Sequence, residues 1–201
     1  NAAKNKNINI ADFFLENSLS LNKRTILIFG GSQGAQRVNQ LLAETLAFLR
    51  EHSEKLQIIH LTGTEDNAAL LEAYKKNEIQ ALVQCRRNDI EKCFIAADLI
   101  ICRSGASSIC EIALFKKALL LIPLPTAADD HQTINAEMLQ NAKAAKMLPQ
   151  REAKPEKLAE IIQDWLNNQD KWQKMADKLQ DFAFPDAAEK LAKKLIEEID
   201  N

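Results

Sequence analysis

The sequence predicts an α/β fold: a doubly wound, mostly parallel Rossmann-like sheet of about six strands with a helical C-terminal tail. Three observations lead there. Four short runs, TILIF at 25–29, LQIIHL at 56–61, DLIIC at 98–102 and ALLLI at 118–122, are continuously apolar, which marks strands covered on both faces. The stretches between them carry helical spacing, so strand and helix alternate as a parallel sheet requires. Three of the five glycines, Gly30, Gly31 and Gly34, fall in one loop behind the first strand, where such sheets bind ligands.

In chain order, residues 1–24 are polar and uneven and read as a leader or interdomain remnant, frayed except for one short helix, IADFFLEN. The domain proper runs from 25 to 201. Val38, Leu41, Leu42, Leu46 and Leu49 share a helical face after the first strand, as do Leu70, Leu71 and Tyr74 after the second. QALVQC at 80–85 and AAKML at 144–148 supply two further strands. Beyond Pro149 the pattern is wholly helical. Leu158, Ile161, Ile162, Trp165 and Leu166 form one face, and Leu191, Leu195, Ile196 and Ile199 form another past Pro185.

Composition narrows the function. At 201 residues and 46% hydrophobic the chain can bury one sizeable core. Its 26 basic and 28 acidic residues nearly cancel to −2, and no basic block tracks a phosphodiester backbone, so nucleic acid is not an expected partner. Apolar runs such as ALLLIPLP fall far short of the ~20 residues of a membrane-spanning helix. The polar, basic opening NAAKNKN has no apolar signal core behind it, and a cytoplasmic location is expected. Cys85, Cys93, Cys102 and Cys110 lack CxxC spacing and read as small buried hydrophobes. No metal or cofactor is expected.

Three strand-to-helix loops carry the chemistry. In GGSQGA at 30–35 the glycines permit a tight turn and close approach, and the helix behind offers unpaired N–H groups to an anion. No lysine follows, as a GxxxxGK[ST] phosphate loop needs, and the spacing is not GxGxxG. Strand two ends in His60, Leu61 and Thr62 where a dinucleotide fold wants an acid, so NAD is disfavoured. The alternative is a purely structural turn. In RSGASSICEIALF at 103–115, Ser104 and Gly105 leave a strand, and Ala106, Ser107 and Ser108 start a helix whose free N–H groups can face a diphosphate. Glu111 then sits inside what reads as a buried helix, where an uncompensated charge costs several kcal/mol. A ribose diol would compensate it. The alternatives are an exposed acid, or one paired with Lys116 or Lys117 at a weak spacing. In PLPTAADDHQTINA at 123–136, Asp129 or Asp130 can cap a helix whose first turn holds His131 and Gln132, a pair suited to hydroxyl-rich ligands. An isolated histidine can equally be a satisfied surface or core residue.

With these loops in this order, the chain resembles the C-terminal half of the MurG family, the bacterial N-acetylglucosaminyltransferases that convert lipid I to lipid II. The matching stretches are ILIFGGSQGAQRVNQ, IIHLTG, AADLIICRSGASSICEIA, IPLPTAADDHQTINAEML and AAKML, with FPDAAEKLAKKL resembling the closing helix. The resemblance implies one half of a two-domain GT-B glycosyltransferase, with UDP-N-acetylglucosamine as donor substrate. By that resemblance Gly31, Ser32, Gln33 and Gly34 line the donor phosphates and sugar. The backbone of Gly105 and Ala106, with Ser104 and Ser107 beside it, holds the diphosphate. Glu111 takes the ribose hydroxyls, and His131 and Gln132 bind hydroxyls of the N-acetylglucosamine ring.

One departure concerns the base. Where the family usually has an aromatic and an aliphatic residue beside the uracil, this chain has Arg86 and Arg87, with Ile90 just beyond. Backbone contacts to uracil survive this, whereas a stacked aromatic at that place does not. The resemblance further implies an inverting displacement by the muramyl C4 hydroxyl, with a general base on an acceptor-binding N-terminal half that these residues do not contain. That half, or a partner subunit, would bring the lipid-linked acceptor. The whole enzyme is expected to be peripheral on the cytoplasmic face of the inner membrane. Other readings are a stand-alone donor-binding subunit of a split transferase and a UDP-sugar epimerase of the same architecture.

Overall fold

A computed structural model describes residues 9–30, 35–127 and 130–185. Six strands, β1 (Arg24–Phe29), β2 (Leu56–Leu61), β3 (Ala81–Gln84), β4 (Leu99–Cys102), β5 (Ala118–Leu121) and β6 (Lys146–Met147), form one sheet in the order β3-β2-β1-β4-β5-β6. Every adjacent pair is parallel. The described helices are α1 (Ile10–Glu16), α2 (Ala35–Leu49), α3 (Ala68–Lys76), α4 (Ile90–Ala96), α5 (Ala106–Ala113), α6 (His131–Asn141), α7 (Pro155–Asn167) and α8 (Gln169–Leu179). None is long and apolar enough to cross a membrane.

Parity within the strands explains their unbroken apolarity. Ile26, Ile28, Ile58, Leu99 and Ile101 pack under α2, α3 and α7 on one face, while Leu27, Ile59, Ile100 and Leu119 meet Phe13, Phe94, Ile109 and Ile112 on the other. The strand order reverses between β1 and β4, which opens a crevice past their carboxyl ends. Phe29 pairs in register with Leu61 and with Cys102, so the loops leaving β1, β2 and β4 start at one level of that rim.

Some expectations need correcting. Before β1 the expected short helix is present as α1: Asn9 Oδ1 accepts from the Ala11 amide at 3.1 Å to cap it, and it docks by burying Phe13 and Phe14. In the short α3, Leu70 and Tyr74, one turn apart, take the core, leaving Leu71 half exposed. α7, with Pro155 in its first turn, buries Leu158, Ile161, Ile162 and Trp165 as expected. The helix expected over Leu191, Leu195, Ile196 and Ile199 lies outside the described residues. Of the cysteines, Cys93 and Cys102 are buried, and burial pushes the Cys93 thiol up to about 12; Cys110 is exposed and Cys85 half-buried.

Candidate functional site

Among the described residues, the rim is built from the end of β1 and the connections leaving β2, β3, β4 and β5. Gly105 occupies the N-cap of α5 with φ −66° and ψ 138°, and no side chain caps the helix there. Its φ is negative, and a Cβ built on it would meet nothing within 4 Å, so neither backbone strain nor crowding within the protein calls for glycine. The first-turn N–H groups have no side-chain cap from the N-cap residue. Those groups have no carbonyl four residues back, and they carry the positive end of the helix dipole.

Glu111 is exposed, contrary to the buried position its apolar neighbours imply. At 100° per residue, α5 turns Ile109, Ile112 and Ala113 onto the sheet, which leaves Glu111 on the opposite face with Ser107 one turn earlier. No compensation by burial is needed. The carboxylate stands in solvent, available to an arriving diol.

The buried charge of this stretch is Arg103, 6% exposed, which sequence reasoning missed. Its Nη1 donates to the carbonyls of Ile122 at 3.0 Å and Pro123 at 3.1 Å, and its Nη2 donates to Gln150 Oε1 at 2.7 Å. Burial lowers the guanidinium's pKa. The sequence signal was an arginine closing an Ile-rich strand, opposite a strand exit stiffened by two prolines.

Ser104 is fully buried, so its hydroxyl does not face the crevice as a ligand contact. It donates to the Gln132 carbonyl at 2.7 Å, and the Ser104 carbonyl accepts from Asn135 Nδ2 at 3.0 Å. Gln132 Oε1 accepts the Leu124 amide at 3.1 Å, which leaves the Nε2 protons as that side chain's donors. His131 is exposed at the start of α6. Asp130 stands at the N-cap in left-handed backbone, φ 51°, and its side chain makes no capping bond. The other proposed cap, Asp129, lies outside the described residues, as do Gly31, Ser32, Gln33 and Gly34.

Arg87 and Ile90 line a cavity of about 210 Å³ with Phe29, Leu61, Gly63, Cys85 and Arg86. The Arg87 guanidinium is already engaged. It grips Asp89 through Nε at 2.8 Å and Nη2 at 3.0 Å, reaches Asn17 Oδ1 at 3.1 Å and Gln84 Oε1 at 3.0 Å, and lies 5.1 Å above the Phe13 ring. This pairing pulls the Asp89 carboxyl down to about 2. Phe29 contributes an aromatic ring to the wall of the same cavity.

At the end of β2, where a dinucleotide fold keeps an acid, His60 is fully buried. Asn39 Nδ2 donates to the Thr62 carbonyl at 2.9 Å, so Asn39 Oδ1 accepts from His60 Nε2 at 2.9 Å, and Nδ1 accepts the Tyr74 hydroxyl at 3.0 Å. Burial lowers the imidazole pKa to about 3, so the ring is neutral.

A parallel sheet whose order reverses between β1 and β4, with an uncapped helix N-terminus and an exposed acid past its carboxyl ends, defines a doubly wound α/β domain of the kind that binds ligands at its switch point. Residues 25–191 match the glycosyltransferase family 28 C-terminal domain, and the chain belongs to that family. It is 34% identical over 183 residues to the UDP-N-acetylglucosamine–N-acetylmuramyl-(pentapeptide) pyrophosphoryl-undecaprenol N-acetylglucosamine transferase of Myxococcus xanthus, covering 91% of this chain and 48% of that protein. To the transferase of the same name from Citrifermentans bemidjiense it is 44% identical over 138 residues, 69% of this chain and 38% of that one. The crystal structure of Acinetobacter baumannii MurG superposes with a TM-score of 0.77 at 34% identity, over 87% of this chain and 52% of that chain. The chain thus spans about half the length of relatives such as the Myxococcus protein.

Proposed function

We propose that this chain is the donor-binding half of an inverting glycosyltransferase that moves N-acetylglucosamine from UDP-N-acetylglucosamine to undecaprenyl-diphospho-N-acetylmuramyl-pentapeptide. The carrying observation is the uncapped N-terminus of α5 at Gly105, with Glu111 exposed farther along the same helix. First-turn N–H groups meet the diphosphate, Glu111 accepts from the ribose hydroxyls, and uracil enters the slot walled by Phe29 and Ile90. His131 and the Gln132 amide protons meet the hexose hydroxyls, and Gly31, Ser32, Gln33 and Gly34 are assigned to the donor phosphates and sugar by the family resemblance alone.

In the reaction, the muramyl C4 hydroxyl displaces UDP at the anomeric carbon. Charge growing on the departing diphosphate is met by the α5 dipole, so in this reading no metal or cofactor is assigned that task. The proton goes to a base on the acceptor-binding half, which also binds the lipid-linked acceptor at the cytoplasmic membrane face.

Calorimetric titration with UDP-N-acetylglucosamine, UDP-N-acetylgalactosamine and UDP tests the reading. Binding of the first and third is expected, and the second reports selectivity at the hexose. A chain that binds none of them overturns the proposal. With a lipid I analogue present, the chain alone is expected to release no UDP.

A further inference from the structure

Going beyond the ligand contacts, and resting on the donor reading, we infer that Arg103 is the positioning residue of the hexose subsite: it shapes the β5–α6 loop that presents His131 and Gln132 and does not touch the donor. Three consecutive residues leaving β5 are held by side chains from elsewhere. Arg103 binds the carbonyls of Ile122 and Pro123, and Gln132 Oε1 takes the next amide, that of Leu124. Ser104, the residue after Arg103, grips the carbonyl of the same Gln132. The contacts close a ring from Arg103 through residues 122–124 to Gln132 and back through Ser104.

A planar guanidinium suits this task because one rigid fork reaches two neighbouring carbonyls and still offers its other nitrogen to Gln150 Oε1. Gln150 lies in a 3-10 turn just before α7, so the same side chain ties the loop to the C-terminal helices. Lysine carries the charge but not the fork. If the ring drifts, Gln132 is displaced first, since its oxygen is tied to Leu124. The slot beside Phe29 belongs to other connections, and although Gly105 follows Arg103 by two residues, the guanidinium's bonds to Ile122, Pro123 and Gln150 lead away from α5, so both are expected to keep their shape.

The test is the ratio of UDP to UDP-N-acetylglucosamine dissociation constants, measured by calorimetry for wild type, Arg103→Lys and Arg103→Met, with amide hydrogen exchange at Leu124 and Ala127 alongside. The variants are expected to hold UDP within about threefold of wild type while the hexose-dependent part of the affinity falls, more in Arg103→Met than in Arg103→Lys. Exchange at Leu124 should quicken at least tenfold in Arg103→Lys. Should Arg103→Met fail to fold, Arg103→Lys decides. An unchanged ratio in both variants, equal losses for both ligands, or wild-type protection at Leu124 overturns the inference. A wild-type chain that binds neither ligand instead overturns the donor reading, and this inference with it.

Discussion

The hydroxyl of Ser104 donates to the main-chain carbonyl of Gln132 at 2.7 Å, joining the loop after β4 to the first turn of α6. Asn135, one turn further along α6, returns a bond from its Nδ2 to the Ser104 carbonyl at 3.0 Å. These two bonds fix the helix proposed to meet the hexose against the loop proposed to meet the diphosphate. The separation of the two subsites is therefore set inside the protein, before a ligand arrives, which lowers the ordering cost of binding.

Replacing Ser104 with alanine should loosen that joint. The Gln132 carbonyl loses a buried donor, a penalty of about 1–3 kcal/mol, which lowers Tm by roughly 2–12 °C in a chain of this size. Thermal denaturation measures it. An unshifted Tm would show that water or another donor takes the hydroxyl's place.

Glu111→Ala should separate binding from folding. The side chain is exposed on α5, so the unfolding free energy should stay within about 0.5 kcal/mol of wild type. A charge-assisted bond to a diol hydroxyl is worth about 1.5–3 kcal/mol, so UDP affinity should drop at least roughly tenfold to a hundredfold. Undiminished affinity in a calorimetric titration would remove Glu111 from the site.

The contrast between Glu111 and Arg103 shows how far the sequence can be read. Strand identity was legible because apolarity on both faces is a property of consecutive residues, and β2 runs from Leu56 to Leu61 as its composition predicts. The side of a helix on which one acid lies depends on which neighbours the sheet claims. Apolar residues on both sides of Glu111 made it read as buried, although only Ile109, Ile112 and Ala113 turn inward. Arg103 was illegible for a related reason: its acceptors at 122, 123 and 150 are distant in sequence and, apart from Gln150, are main-chain carbonyls that no residue type announces. Phe29 joined the proposed base slot only once strand register set it beside Leu61.

Arg87→Met should release α1. The guanidinium is the polar tie between Asn17, at the C-cap of α1, and Asp89, at the N-cap of α4. Without it, amide protection across Phe13–Asn17 should fall by more than that of the β-sheet. The Asp89 carboxyl should also climb from about 2 toward its ordinary value, visible in an NMR titration. Stability that Asp89 adds above pH 3.8, and loses as the pH falls toward 2, should then disappear.

The buried His60 ring predicts a second, higher window of acid sensitivity. Its pKa is 6.5 in the unfolded chain and about 3 in the fold, so between those values only the unfolded state takes up the proton. Above pH 6.5 neither state is protonated and stability is level. Each unit below it should cost about 1.4 kcal/mol, levelling off near pH 3. Protonation inside the fold is unfavourable because burial strips the imidazolium of the water that would solvate its charge. His60→Gln removes the titrating group while keeping a polar side chain near Asn39 and Tyr74. Denaturant unfolding at pH 7.5, 5.5 and 4.5 should show the variant less stable than wild type at the first pH and closing the gap at the lower two. Parallel pH profiles for the two proteins would mean that another group carries the acid sensitivity.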